Sequence, residues 1–119
     1  MVQHKKKVLP EEVQKYLKEI EKFPDLSLKK EKELFKKIEK DDVNAKKELT
    51  RSYLKLVVKI AHYYTPKIKK LTLLDLIQDG NLGLFRAVDM YDWKSHYKFS
   101  TFATILIRKS ILRVLEEKK

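Results

Sequence analysis

The only two glycines in the sequence, Gly80 and Gly83, lie inside its strongest helical pattern, which runs from Thr72 to Val88. A glycine in a helix interior costs about 1 kcal/mol relative to alanine, because it loses more conformational freedom on folding. Two residues that are three positions apart lie on the same face of a helix. The pair therefore predicts a helix whose glycine face approaches another backbone closely, whether or not this face has a further role.

Helical periodicity continues through the rest of the chain, and no segment shows the alternation that is typical of strands. Prolines and small capping residues divide it into predicted helices at about residues 10–22, 28–40, 43–64, 73–90 and from Ser100 onwards. Ser27 and Ser100 are candidate N-caps, and Thr72 with Asp75 resembles a capping box. A kink is predicted near Arg51. The expected fold is all-α, a compact bundle of several helices without a sheet.

The length of 119 residues fits one domain with a single modest core. Residues 1–10 are expected to form a flexible basic arm, residues 11–115 the helical domain and residues 116–119 a frayed tail. A basic link over residues 65–70 should lead to the glycine-bearing helix. The second helix should bury one apolar stripe, which comprises Leu28, Leu34, Phe35 and Ile38.

Composition argues against several classes of function. No cysteine is present, which excludes disulfides and thiolate metal sites, and His4, His62 and His96 are too scattered to suggest a ligand cluster. No apolar run reaches the ~18–20 residues of a membrane span, and the first residues lack the apolar segment of a secretory signal. We expect a cytoplasmic protein without a metal, a cofactor or a membrane partner. No pairing of nucleophile and base predicts an enzyme.

The formal net charge of +11, with 28 Lys and Arg against 17 Asp and Glu, favours a polyanionic partner such as nucleic acid. Most of the lysines are interleaved with glutamates, however, as in residues 31–40, and this pattern is typical of a solvated helix face. Richness in lysine and glutamate also accompanies adaptation to heat. Charge alone therefore leaves the partner open.

The final predicted helix has two distinct faces. One side carries Ala103, Ile107, Ser110, Ile111 and Val114 and can pack on the body of the domain. The opposite side would be polar in a lone surface helix, but here it mixes apolar and cationic residues: Phe102, Ile105, Leu106, Lys109, Leu112 and Arg113. This mixture predicts a second contact, with DNA, with a protein or with more of the core.

Aromatic residues concentrate at the start of this helix and in the loop before it. They are Trp93, Tyr97, Phe99 and Phe102, with Lys94, Lys98, Arg108, Lys109 and Arg113 around them. Aromatic rings stack on unpaired bases at about 1–3 kcal/mol each while Lys and Arg hold phosphates, so this combination suits a single strand of nucleic acid. The alternative for Phe99 and Trp93 is that their rings close the core beneath the loop.

Two motifs give a more specific indication. The first is Asp75-Leu-Ile-Gln-Asp-Gly-Asn-Leu-Gly-Leu-Phe-Arg-Ala-Val, and the second is Tyr97-Lys-Phe-Ser-Thr-Phe-Ala-Thr. In this order and at this separation they resemble the second region of bacterial sigma-70 family transcription initiation factors. The resemblance extends upstream through Leu54-Lys-Leu-Val-Val-Lys-Ile-Ala and Tyr16-Leu-Lys-Glu-Ile, to helices like those of region 1.2, and it covers about residues 13–113.

The resemblance implies a domain that binds core RNA polymerase and catalyses no reaction. In the family, the helix that matches residues 73–90 docks on the clamp helices of the largest polymerase subunit. The positions of this docking pattern that the sequence keeps are Leu74, Asp75, Gln78, Asp79, Asn81 and Phe85. The two carboxylates also have a simpler interpretation, as charges that favour a helix start and solubility. An anti-sigma factor that covers this helix is a further partner of the kind that the resemblance suggests.

The same resemblance implies recognition and melting of the minus-ten element of promoter DNA. The family captures the single-stranded non-template segment there and holds flipped bases in pockets, which requires stacking partners. The expected DNA-binding residues follow the docking helix: Trp93, Lys94, Tyr97, Lys98, Phe99, Thr101, Phe102, Ile105, Leu106, Arg108, Lys109, Leu112 and Arg113.

Several positions depart from the family's pattern. Its paired tryptophans are replaced by Ile105 and Leu106, which can wedge a base step but cannot stack as an indole does. The glutamine and threonine associated with reading the upstream base pair are replaced by Lys109 and Leu112, and an asparagine of an earlier helix is replaced by Tyr53. The docking residues of the family are thus kept, whereas several of its DNA-reading residues have changed.

This contrast leaves a second function open, that of a truncated sigma-like interaction module. Such a regulator or decoy would dock on RNA polymerase without opening DNA, and Ile105, Leu106 and Leu112 would receive a protein partner. General affinity for duplex DNA, with a steep dependence on salt, is a third interpretation. Because the sequence stops soon after Arg113, we expect this chain to lack the helix-turn-helix domain that reads the minus-thirty-five element.

Overall fold

The computed structural model describes residues 9–64 and 71–117. These residues form six helices, which are α1 (Glu11–Ile20), α2 (Leu28–Ile38), α3 (Val43–Ser52), α4 (Leu54–Tyr64), α5 (Leu73–Met90) and α6 (Phe99–Glu117). Within the described ranges no strand is present, and the predicted all-α fold is confirmed. None of these six helices is long and apolar enough to cross a membrane.

Three sequence predictions fall wholly or partly outside the described residues. Residues 1–8 of the predicted basic arm, the predicted basic link at 65–70 and the last two residues, 118–119, are not described. The described part of the predicted tail, residues 116–117, continues α6 as regular helix.

Side-chain caps begin three of the helices, two of them at the predicted residues Ser27 and Thr72 and the third at Asp42. In each case a side-chain oxygen accepts a hydrogen bond from the backbone N–H three residues later, at 3.1 Å for Ser27, 3.0 Å for Asp42 and 3.1 Å for Thr72. The carboxylate of Asp75 accepts a return hydrogen bond from the Thr72 backbone at 2.9 Å, which confirms the capping box. These caps satisfy backbone donors that the first turn of a helix leaves free.

Two predicted helix boundaries differ from the structure. The kink predicted near Arg51 is a complete break at Tyr53, whose ψ of 0° ends α3 before α4 begins. Ser100 is not the N-cap of α6, because the helix already begins at Phe99 and the carbonyl of Lys98 accepts a hydrogen bond from the Phe102 N–H at 3.2 Å. The side chain of Phe99, the first residue of the helix, is buried.

The buried stripe of α2 also differs from the prediction at one position. Leu34 and Phe35 are buried, but Leu28 is 67% exposed, so its predicted burial was wrong. Glu31 is buried instead, because the hydroxyl of Tyr53 donates a hydrogen bond to its carboxylate across the bundle. Burial raises the pKa of Glu31, and the hydrogen bond from Tyr53 opposes part of this rise.

The helix α5 lies at the centre of the fold, between α4 and α6. A Cβ atom added at Gly83 would lie 2.6 Å from the carbonyl oxygen of Leu106 and 2.9 Å from the Cα of Ile107, both in the backbone of α6. A Cβ atom at Gly80 would lie 2.7 Å from the Cγ1 of Val57 in α4. The predicted close packing of the glycine face is confirmed, and the contact is backbone to backbone at Gly83.

Candidate functional site

The glycine packing turns one face of α5 inward and leaves the opposite face in solvent. Helical spacing aligns six residues along that outer side, and we call them the outer stripe: Leu74, Asp75, Gln78, Asn81, Leu82 and Phe85. Leu82 and Phe85 are 52% and 43% exposed, although both are large and apolar. Exposed apolar side chains that follow one helical line indicate a surface for a partner.

The two edges of the outer stripe approach other helices. At one edge, the side-chain amide of Asn81 donates a hydrogen bond to the hydroxyl of Tyr16 in α1 at 3.4 Å. At the other edge lies Asp79, close enough to Arg113 of α6 to interact with its charge. Burial, and then the nearby carboxylate of Asp75, raise the pKa of Asp79, whereas Arg113 lowers it. The charged form of Asp79 therefore opposes folding.

Asp75 has a structural task as well as a place on the outer stripe. Its backbone and side chain form both hydrogen bonds of the capping box with Thr72. The simpler interpretation of this carboxylate, as a helix-start residue, is therefore confirmed, and any binding role would be additional. An experiment on docking should consequently use outer-stripe residues other than Asp75.

A groove of about 550 Å³ runs between the C-terminal half of α5 and the adjacent side of α6. Its lining combines apolar side chains and a serine with three cations. The lining residues are Arg86, Met90, Phe102, Ile105, Leu106, Lys109, Ser110 and Arg113. Met90 is 65% exposed and Ile105 48% exposed, so the apolar part of the lining faces solvent. We call this feature the α5–α6 groove, and no carboxylate lines it among the described residues.

The structure divides the predicted DNA-binding residues of α6 between two sides. Phe102, Ile105, Leu106, Lys109 and Arg113 line the α5–α6 groove. Thr101, Arg108 and Leu112 are exposed but do not line it. The wheel assignment of the buried side is confirmed for Ala103, Ile107, Ser110 and Ile111, while Val114 is only partly buried.

Phe99 belongs to the core rather than to the surface. It is 2% exposed, and its ring packs against Phe35, Tyr53 and Tyr91 with centroid distances of 5.0, 4.9 and 5.2 Å. Phe99 therefore cannot stack on a base in this conformation, and the alternative of core closure is correct for this residue. Tyr97, in contrast, is 70% exposed.

Trp93 is partly buried beside α2. Its indole N–H donates a hydrogen bond to the carboxylate of Glu39 at 2.9 Å. Lys94 and Lys98, which were predicted with it, are exposed. The loop is held by the hydroxyl of Tyr91, which donates a hydrogen bond to the carbonyl of Tyr97. Among the described residues, no group of three or more histidine or acidic side chains could hold a metal ion.

Comparison with known proteins identifies the family. The family model named sigma-70 region 2 matches residues 49–119. The chain belongs to the sigma-70 family. The chain is also 46% identical, over 105 residues, to the RNA polymerase sigma factor SigA of Clostridium acetobutylicum. That match covers 88% of this chain but 27% of SigA, so the chain spans about a quarter of its relative's length.

Sequence reasoning missed three residues of this sigma-70 region 2 domain that adjoin the predicted surfaces. Leu82 completes the outer stripe, and helical spacing from Gln78 would have placed it there. Arg86 and Met90 line the α5–α6 groove together with α6. No local pattern could have found these two, because the groove depends on how α5 and α6 pack.

Proposed function

We propose that this sigma-70 region 2 domain acts in transcription initiation, with core RNA polymerase on the outer stripe and the minus-ten segment of promoter DNA in the α5–α6 groove. One observation carries the proposal: no residue of the outer stripe lines the groove, so both partners can bind at the same time. The family membership and the retained docking motif support it.

The outer stripe suits the clamp helices of the largest polymerase subunit. A helix that docks on another helix needs an apolar ridge flanked by polar groups that fix its orientation. Leu82 and Phe85 supply the exposed apolar ridge, and Gln78 supplies an amide beside it. The capping box holds the first turn of α5 in place, so the stripe is rigid before a partner arrives.

The α5–α6 groove suits an unpaired base with its flanking phosphates. Its volume, about 550 Å³, falls within the range of small-molecule pockets. Phe102 and Leu106 offer an apolar surface against which a flipped base can rest, while Arg86, Lys109 and Arg113 can hold phosphates. Binding of the non-template strand here would favour the melted promoter over the duplex.

A specific observation favours the second candidate, a docking module that does not open DNA. Of the four aromatic residues predicted to stack on bases, Phe99 is buried and Trp93 is partly covered by α2. Ile105 and Leu106 stand where the family has its paired tryptophans, and neither can stack as an indole does. A regulator of this kind would compete for polymerase without selecting the minus-ten sequence, and an anti-sigma factor could release it by covering the outer stripe.

One titration separates the two functions. The fluorescence anisotropy of a labelled minus-ten non-template oligonucleotide is measured against the protein, with and without core RNA polymerase, beside a scrambled oligonucleotide. Selective binding that requires polymerase is expected for the initiation domain. Capture of polymerase without sequence selection would instead support the docking module.

A groove variant tests the DNA-binding part directly. Phe102→Ala should weaken binding to the minus-ten single strand more than binding to random duplex, because only the single strand offers an unpaired base. Equal losses on both would leave general electrostatic affinity as the explanation.

A further inference from the structure

A long hydrogen bond joins α1 to the edge of the outer stripe. The side-chain amide of Asn81 donates it to the hydroxyl of Tyr16 at 3.4 Å, which exceeds the usual N–H···O range of about 2.7–3.2 Å. Tyr16 lies outside the docking motif, 65 positions before Asn81 in the sequence. The contact therefore brings to the outer stripe a side chain that α5 does not supply.

The fold leaves the amide of Asn81 incompletely satisfied. Its oxygen Oδ1 is buried and accepts no hydrogen bond from any of the described residues. A buried polar group without a partner lowers stability, so native structures contain few of them. Packing and stability alone would favour an apolar side chain at this position. An amide that the fold satisfies so poorly indicates a role other than packing.

The anchoring of α1 makes Tyr16 a fixed partner for this amide. Val13 and Ile20, three positions before Tyr16 and four after it, are fully buried in the core. The ring of Tyr16 is partly buried and packs against the same core. Closely packed side chains have few alternative positions, so the hydroxyl of Tyr16 is held at the edge of α5.

The bond to Tyr16 limits how Asn81 can face a partner. Asn81 lies three positions after Gln78 and four before Phe85, on the same side of α5. A free amide can present either its oxygen or its nitrogen, but here Nδ2 is bonded to Tyr16 and Oδ1 is buried. Nδ2 carries two N–H groups, and Tyr16 accepts from one of them, so the other can donate to a partner.

We propose that Tyr16 is a positioning residue for polymerase docking: its hydroxyl orients the amide of Asn81, which donates a hydrogen bond to a carbonyl or carboxylate oxygen of the clamp helices. This inference rests on the proposed function. It adds α1 to a docking site that the motif confines to α5, and it assigns the chemistry of the partner group opposite Asn81. Because the amide is oriented before docking, the complex does not have to restrict its rotation.

A double-mutant cycle on the affinity of the full chain for core RNA polymerase tests the proposal. Tyr16→Phe keeps the ring and removes the hydroxyl, and it should weaken capture about fivefold, the effect of one typical hydrogen bond. Asn81→Ala should weaken capture about tenfold. The double variant should also lose about tenfold, because Tyr16 acts only through Asn81. A loss of about fiftyfold, the product of two independent effects, would overturn the proposal.

Urea unfolding distinguishes positioning from a merely structural role. The midpoint for Tyr16→Phe should fall by less than about 0.5 M, because the bond that it removes is long. A lower midpoint with unchanged capture would assign the hydroxyl to stability and refute the positioning role. Tyr63→Phe is the matched control, since it removes a hydroxyl from α4, outside the outer stripe, and should leave capture unchanged. An equal loss of capture in this control would also refute the role.

Asn81→Asp tests the direction of the hydrogen bond to polymerase. It replaces the donating Nδ2 by an oxygen of similar size, which cannot donate when ionised. Capture should weaken more than in Asn81→Ala, because two acceptors would then face each other. Tighter capture would show that the polymerase offers a donor and would overturn the assigned chemistry.

Failure of this inference is distinguishable from failure of the proposed function. If Leu82→Ala/Phe85→Ala loses capture while Tyr16→Phe keeps the wild-type affinity, only the positioning role of Tyr16 is refuted. If the wild-type chain captures no polymerase, the proposed function fails and the positioning role fails with it.

Discussion

The two faces of α5 use the same helix in opposite ways. On the inner face, Gly83 lets the backbone of α6 approach so closely that even a methyl group would collide with it. On the outer face, Leu82 and Phe85 keep large apolar side chains in solvent. At Gly83 the inner face lacks a side chain and gains close packing, whereas at Leu82 and Phe85 the outer face keeps large apolar side chains about half exposed.

Under the proposed function, this difference separates stability from binding within one helix. Substitutions on the inner face should change the free energy of unfolding, and those on the outer stripe should change affinity for polymerase. Asp75 and Asn81 are exceptions on the outer stripe, because Asp75 caps α5 and Asn81 donates a hydrogen bond to Tyr16 of α1. Predictions that test the separation are therefore best made with the other residues of each face.

The largest effect is expected from removing the apolar ridge of the outer stripe. Leu82→Ala/Phe85→Ala should weaken capture of core RNA polymerase about 100-fold, since buried apolar anchors at an interface are worth 2 kcal/mol or more. The free energy of unfolding should change by less than about 0.5 kcal/mol, because both side chains are exposed. Polymerase pull-down titration and urea unfolding measure the two quantities.

A matched control for the ridge exists on other helices. Leu28 and Val43 are also large, apolar and exposed, at 67% and 64%, but lie on α2 and α3. Leu28→Ala/Val43→Ala should leave capture unchanged. Loss of capture in both double variants would mean that any exposed apolar surface can bind polymerase. Binding would then not be specific to the outer face of α5.

The next largest effect is expected on the inner face. Gly83→Ala gains about 1 kcal/mol of helix propensity but forces its methyl group against the backbone of Leu106 and Ile107, so it should lose about 1–2 kcal/mol of stability in total. Gly80→Ala meets side-chain atoms of Val57, Ile111 and Ile107 instead, which can move, and should lose less. Urea unfolding of both variants shows which substitution lowers the free energy of unfolding more. A larger loss for Gly80→Ala would show that backbone contact does not decide the cost.

The smallest effect is expected at the edge between the two faces. Because the pKa of Asp79 is raised in the fold, its contribution to stability is most favourable at low pH and is lost as pH rises through the raised value. Asp79→Asn should therefore stabilise the protein at pH 7, because it removes a charge that burial and then the carboxylate of Asp75 disfavour. A like-charge pair one turn apart usually costs about 0.2–0.5 kcal/mol, which sets the expected size of the gain. The gain should vanish in acid, below the ordinary Asp pKa of about 3.9.

Thermal unfolding of wild type and Asp79→Asn at several pH values measures this difference. Asp75→Asn is the informative companion, because it removes the same charge but disturbs the capping box, and it should destabilise at pH 7. If both variants were stabilised, removal of the repulsive charge would contribute more than the lost hydrogen bond of the capping box. A gain for Asp79→Asn that grew toward acid would contradict the assigned direction of the pKa shift.

Features that depend on neighbours in sequence could be predicted well. Each of three such features follows from residues within a few positions of one another. They are the caps at Ser27 and Thr72, the end of α5 at Met90 and the close helix packing at the glycines. The resemblance predicted five of the six outer-stripe residues for docking but not Leu82, and it included Asp79, which lies at the edge of the stripe. Use of the stripe by polymerase remains a prediction.

Features that depend on distant neighbours could not be predicted. Phe99 is buried because its ring packs against Phe35 of α2 and against Tyr53 at the break between α3 and α4. Glu31 is buried beside Tyr53, which donates a hydrogen bond to it from the break between α3 and α4, and no pattern within α2 reveals this partner. Two lysines of α2 are likewise brought beside Trp93 only when α2 meets the α5–α6 loop.

The contact at Gly83 also fixes the distance between α5 and α6. Where α5 meets α6 there, the nearest atoms belong to the backbone of Leu106 and Ile107 and to the short side chain of Ser110, so little can move to absorb a displacement. In the proposed complex, this contact therefore fixes the distance between the polymerase surface and the base held beside Leu106. A shift of α5 on the polymerase would be transmitted to the DNA almost undiminished, so the angle of docking would determine the register of the melted strand.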